Sequence, residues 1–188
     1  MIKNKKINKN FIKHFYDAEK TANYLLGKNL CRKINGKILK AKIVETEAYF
    51  DEKDPASRAC KNGDLKETMK MKAGTILVYG VHNNWLINIV TGKKGKAQAV
   101  LIRAVEPLNF KAKTNGPGLL TKSLFIDKKF HKKNIFDCKE LYLEIEKKDK
   151  RKKEFKVEKD FRIGVKKDLY KKLRFYIKGN DYISKKDD

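Results

Sequence analysis

The pattern of apolar and polar positions begins with a short amphipathic stretch. Over 17–26, Ala18, Ala22, Leu25 and Leu26 share one helical face, and Gly27 follows as a left-handed stop. The period then changes to two. Apolar residues over 30–34 and 38–48 flank Asn35-Gly36, the pair best suited to a type I′ turn, so a β-hairpin is predicted. Asp54-Pro55 reads as an N-cap with proline at the first helical position, opening a helical turn that runs to Ala59. A second short helix is expected over 65–71, ended before Gly74. Apolar strands follow over 75–79, 85–90 and 98–105, with a turn at 91–95 between the last two. Gly116-Pro117 starts a helix over 117–125, and 141–145, 161–165 and 173–177 read as strands. Between these, 147–160 is almost wholly charged and reads as a solvated surface loop.

This order of elements is mixed, without strict strand–helix alternation and without internal repeats. It predicts an α+β fold: a single compact domain with a curved, mostly antiparallel sheet flanked by short helices. A chain of 188 residues with 40% hydrophobic residues supports one core. The domain is expected over 17–188, behind a basic, flexible leader at 1–16. There is no run of eighteen apolar residues and no apolar stretch of signal-peptide length after the basic N-terminus. A cytoplasmic monomer with no membrane association is the expectation, nucleoid-associated in a bacterium.

Charge changes the picture. Lys and Arg number 47 against 23 acids, a formal net charge of +24. Such a surface attracts polyanions, because phosphate neutralisation dominates non-specific nucleic-acid affinity. Lys far outnumbers Arg, and Asn and Ile are frequent, so genomic bias explains part of the excess. Cys31, Cys60 and Cys138 are far apart, with no CxxC pair, and His14, His82 and His131 are not at ligand spacing from them. No metal, cofactor or disulfide framework is expected.

Three segments could carry chemistry. In 45–49, Glu45 and Glu47 share one strand face and Thr46 the other. A partly buried carboxylate beside aromatics is a candidate general base; by pattern alone, two solvated acids on an exposed edge is the commoner arrangement. Arg103 sits inside the apolar run 101–105, where it needs a carboxylate or phosphate, and Asn88 between Ile87 and Ile89 needs partners if it faces inward. Gly116-Pro117-Gly118 could offer free N–H groups to a phosphate, although an ordinary turn explains it better.

Taken in order, these segments form a known set. LLGKNL (25–30), IVETEAY (43–49), DPAS (54–57), the GT and VY pairs of 74–79, Asn88, LIRAVEP (101–107), NGPG (115–118), RIGV (162–165), LRFYIKGN (173–180) and Ser184 span nearly the whole chain. Together they resemble the alkyladenine (3-methyladenine) DNA glycosylase family. The resemblance implies a monofunctional repair enzyme acting on double-stranded DNA that contains damaged purines. It flips the base into an aromatic pocket and attacks the sugar with water. Carried over by position, Glu47 is the general base, with Arg103 and the main-chain carbonyl of Ile163 beside the same water. Tyr49 and Tyr79 stack on the flipped base, and Asn88 excludes the 2-amino group of guanine.

The sequence departs from the family pattern in three places. Arg58 stands where the family commonly has a pocket histidine. With no spare acid evident nearby, its side chain is expected to point outward to a phosphate while its backbone N–H meets the base. Leu65, Lys66 and Glu67 replace an Arg-Asn pair. The segment 78–84 is disturbed, leaving Val81 or His82 as the residue that wedges into the duplex. The rival reading is a non-catalytic basic nucleic-acid-binding module of the same fold, similar to the C-terminal domain of methionyl-tRNA formyltransferases. Convergence of Glu47, Tyr49, Asn88 and Arg103 on one pocket discriminates the two. A ribosome-associated protein accounts for the lysines but not for LIRAVEP or RIGV.

Overall fold

A computed structural model describes residues 12–144 and 155–184. Its centre is one long strand. After helix α1 (Ala18–Leu25) come strands β1 (Asn29–Ile34) and β2 (Lys37–Tyr49), then helix α2 (Asp64–Met69). Strands β3 (Ile76–Val81), β4 (Asn84–Val90) and β5 (Ala99–Pro107) precede helix α3 (Pro117–Ser123), and β6 (Leu141–Glu144), β7 (Val157–Asp160) and β8 (Arg174–Ile177) close the chain. The sheet runs β3-β4-β5-β2-β1-β6, entirely antiparallel, with β8 on β2 and β7 on β8. With its short helices, this is a curled α+β domain.

The sheet forks at β2. Its first half pairs with β1 through Lys42, and its last part pairs with β8 from Glu45 to Glu47, while β5 follows the opposite edge. Two register shifts in the β2–β5 ladder fall beside Glu45 and leave Val44 and Arg103 without opposite partners. A bulge re-aims the side chain it carries. Arg103 is therefore directed at the fork instead of continuing the apolar ladder.

Alternation divides the remainder into two cores. One sheet face carries Ile76, Val78, Ile87, Ile89, Val100, Ile102 and Ala48, packed with Ala18, Ala22 and Leu25 of α1 and with Leu120 and Leu124. Thr46 is on this side and donates to the Ala22 carbonyl at 2.9 Å. The opposite face is smaller: Leu77, Val90 and Ala99 pack with Ala59 and Met69. Leu77, Val90 and Met69, buried there, contribute about 1.5–3 kcal/mol each. The second face carries the site.

Both hairpin turns use left-handed backbone. Asn35 and Gly36 have φ of 47° and 73°, as the sequence predicts. His82 and Asn83, with φ of 46° and 60°, make an equivalent two-residue turn with no glycine to announce it. Gly118 is a packing glycine: a Cβ there would lie 2.7 Å from the Asn84 Cβ. That close approach of α3 to β4 accounts for Gly118 in the GPG segment.

Three expectations need correction. Of the predicted leader, residues 1–11 lie outside the described residues, but Phe15 is fully buried against Phe136, with ring centroids 4.9 Å apart. Residues 161–165 form no strand. The adjacent strand is β7, within the segment read as a charged loop; residues 145–154 of that region lie outside the described residues. Charge pairing explains the error: Asp160 meets Arg174 at 2.9 Å, and Lys178 meets Glu158 at 2.7 Å, across the β7–β8 pair. Among the described residues, no helix is long and apolar enough to cross a membrane.

Candidate active site

A single row of opposed residues crosses the sheet: Arg174, Glu47, Leu101, Asn88 and Leu77. Opposed residues share a face, and so do residues two positions along. Tyr49, Ala99 and Tyr79 therefore stand beside this row. Tyr49, Tyr79, Asn88, Leu77, Ala99, Met69 and Arg58 wall one small cavity. Its free volume is about 10 Å³, close to the space of a single water.

Glu47 and Glu45 are both 0% exposed, so the solvated-edge arrangement does not hold. Glu47 Oε1 accepts the Ile163 N–H at 2.8 Å and lies 3.3 Å from Arg103 Nη1. Its Oε2 accepts the Tyr49 hydroxyl at 2.7 Å. Burial raises the Glu47 pKa above the usual carboxylate value and is the largest influence. Arg103, the Ile163 N–H and the Tyr49 hydroxyl pull the other way, while the Glu45 charge adds to the rise. The result is a carboxylate held as a better proton acceptor than a surface acid. Burial likewise pushes the Tyr49 phenol well above its ordinary value, with the Glu47 charge adding to it.

Arg103, 8% exposed, completes the junction. Its Nη1 donates to the Ile163 carbonyl at 3.4 Å, and its Nε lies 3.5 Å from Glu45 without an aligned hydrogen bond. Glu45 is held in turn by Arg174 Nη1 at 3.0 Å and by the Ser184 N–H at 2.6 Å. Glu45 is thus a brace behind Arg103, a role the sequence reading did not give it.

Ile163 is positioned by a neighbour that was also missed. Arg162 forms a bidentate pair with Asp54, both bonds at 2.7 Å, and donates to the Ala48 carbonyl at 2.9 Å. It also pairs with Asp168 and lies over the Tyr49 ring at 4.5 Å. Burial opposes its charge, but Asp54 and Asp168 outweigh burial and hold its pKa above the ordinary arginine value. An arginine next to Ile163 and Val165 was the available signal, of the same kind that singled out Arg103.

Asn88 is 3% exposed and donates to the Leu77 carbonyl at 3.4 Å across the β3–β4 ladder. Arg58, expected to point outward to a phosphate, is exposed, and its guanidinium lies 4.8 Å from the Tyr79 ring centroid, where the π face takes the place of an acid. His82 is exposed at the tip of the β3–β4 hairpin, while Val81 is half-buried and paired with Asn84.

The sequence model of methylpurine-DNA glycosylase matches residues 11–181. The chain belongs to this family. Proteins bearing the name "putative 3-methyladenine DNA glycosylase" are similar to it along nearly their whole length. That of Aeropyrum pernix is 37% identical, covering 92% of both chains. That of Clostridium beijerinckii is 37% identical over 96% of this chain and 99% of its own, and that of Borrelia garinii 38% over 90% and 96%. Against this family background, the Glu47–Arg103–Ile163 junction and the adjoining aromatic cavity are the features that call for a chemical role.

Proposed function

We propose that this chain is a monofunctional DNA glycosylase of base excision repair. It flips an alkylated or deaminated purine out of duplex DNA and hydrolyses the N-glycosidic bond with a Glu47-activated water. The observation that carries this reading is one buried carboxylate, braced by Arg103 and the Ile163 main chain and bonded to the hydroxyl of Tyr49, which walls a cavity with Tyr79 and Asn88.

Each Glu47 oxygen has a second lone pair beyond the bonds it already accepts. Water attacks C1′ of the sugar as the C1′–N9 bond breaks. Its proton passes to Glu47, and the bond electrons leave with the purine. Sugar C1′ becomes oxocarbenium-like during departure, so the same carboxylate also stabilises developing positive charge. Tyr49 and Tyr79 stack on the extruded base, an interaction tolerant of base identity. Asn88 rejects guanine by occupying the space its 2-amino group needs. His82, at the hairpin tip, fills the gap left in the duplex.

The net charge of +24 serves phosphate binding in this reading. It would equally serve a non-catalytic nucleic-acid module, but such a module has no use for a desolvated carboxylate bonded to the wall of an aromatic cavity. Single-turnover base release from duplexes carrying 7-methylguanine, hypoxanthine or ethenoadenine tests the proposal. Free base with an abasic product supports it; binding to all three without release from any contradicts it.

A further inference from the structure

Arg58 stands where a base would stack. Its guanidinium lies 4.8 Å from the Tyr79 ring centroid and walls the same cavity as Tyr49 and Asn88. With about 10 Å³ free, a purine enters only when Arg58 releases the Tyr79 face. An exposed cation–π contact of this kind costs only about two- to fivefold to break.

The backbone does not follow the side chain. Arg58 opens a short helical turn, Arg58–Cys60, capped by Ser57, whose hydroxyl accepts the Ala59 N–H at 3.1 Å and donates to the Phe50 carbonyl at 2.5 Å. The Cys60 thiol donates to the Asp54 carbonyl at 2.6 Å, and Asp54 is locked to Arg162. Ala59 is fully buried. Arg58 therefore pivots on a fixed Cα, and its charge stays at the pocket wall. Nor is that charge neutralised: Arg58 forms no ion pair with any described residue, while Asp54, four residues before it, is committed to Arg162.

We infer that Arg58 sets the charge selectivity of this pocket, favouring uncharged damaged purines over cationic N-alkylated ones. The inference rests on the glycosylase reading above and names the lesion class within it. A fixed cation beside the base repels a purine that carries its own positive charge, as 7-methylguanine does. The same guanidinium can donate to O6 and N7 of hypoxanthine, the acceptor pair that arginine reads on guanine; methylation removes N7 from that pair. More than a third of Arg58 is exposed, so screening limits the bias to about three- to tenfold.

The test compares single-turnover release of hypoxanthine and of 7-methylguanine by the parent, Arg58→Gln and Arg58→Lys. Comparing the ratio of the two rates between variant and parent cancels the intrinsic lability of each lesion, and it also cancels any phosphate contact common to both. The ratio of hypoxanthine to 7-methylguanine release is expected to fall about three- to tenfold in Arg58→Gln, up to about 1.4 kcal/mol, and to hold in Arg58→Lys. Release of both bases with an unchanged ratio in Arg58→Gln overturns the inference and leaves the glycosylase reading standing. A parent that releases neither base overturns both.

Discussion

Tyr49 donates its hydroxyl to Oε2 of Glu47 at 2.7 Å, two residues along the same strand face. The bond supports the charged carboxylate and so lowers the Glu47 pKa, against the larger upward push of burial. Tyr49→Phe keeps the ring but removes this support. The Glu47 pKa then rises, and ionised Glu47 is lost at a higher pH as the solution is acidified. The acid limb of the rate of base release should therefore move to higher pH in Tyr49→Phe. A single-turnover pH profile checks this, and a limb at the parent position or below it counts against Glu47 as the titrating base.

Arg162 binds two acids and a carbonyl from inside the protein, with its guanidinium fully buried. Removing one partner of a buried ion pair leaves uncompensated charge, at about 3–5 kcal/mol. Arg162→Met should lose that much stability in urea unfolding. Base release should fall with it, because Ile163 loses its anchor. A loss below about 1 kcal/mol would show that Asp54 and Asp168 find other partners.

The parts of the fold legible in the sequence are those with local causes. Asn35-Gly36 specifies its hairpin through the backbone preference of two residues, and helix α1 stops just before Gly27, whose φ is 75°. His82-Asn83 makes the same turn without glycine, so it left no comparable signal. Strand β7 was hidden because cross-strand ion pairs, not apolar alternation, hold it.

Asn88 occupies the row that joins Glu47 to Leu77 and walls the cavity. If its volume is what bars guanine, Asn88→Ala should raise guanine release from undamaged duplex by about tenfold or more, the usual worth of one group in a pocket. Hypoxanthine release should change less. An unchanged ratio of guanine to hypoxanthine release would remove Asn88 from any gating role.

The site was legible in identity but not in environment. Alternation put Glu45 and Glu47 on one face, yet their burial depends on partners distant in sequence: Arg174 is 129 residues from Glu45, and Ile163 is 116 from Glu47. No local pattern reports such pairing, which is why pattern alone favoured solvated acids. Arg58 shows the same limit. A search for a nearby acid pointed it outward, whereas the group that holds it is the face of Tyr79, on another strand.

The central claim is that Glu47 takes the proton from the attacking water. Glu47→Gln keeps the shape and the contacts with the Ile163 N–H and Tyr49 but removes the proton acceptor. The most direct measurement is single-turnover release of hypoxanthine by Glu47→Gln beside the parent, with duplex affinity measured on the same preparations. The account predicts release slower by about 100- to 10,000-fold with lesion-duplex binding retained. Release at the parent rate would contradict it and turn attention to Glu45.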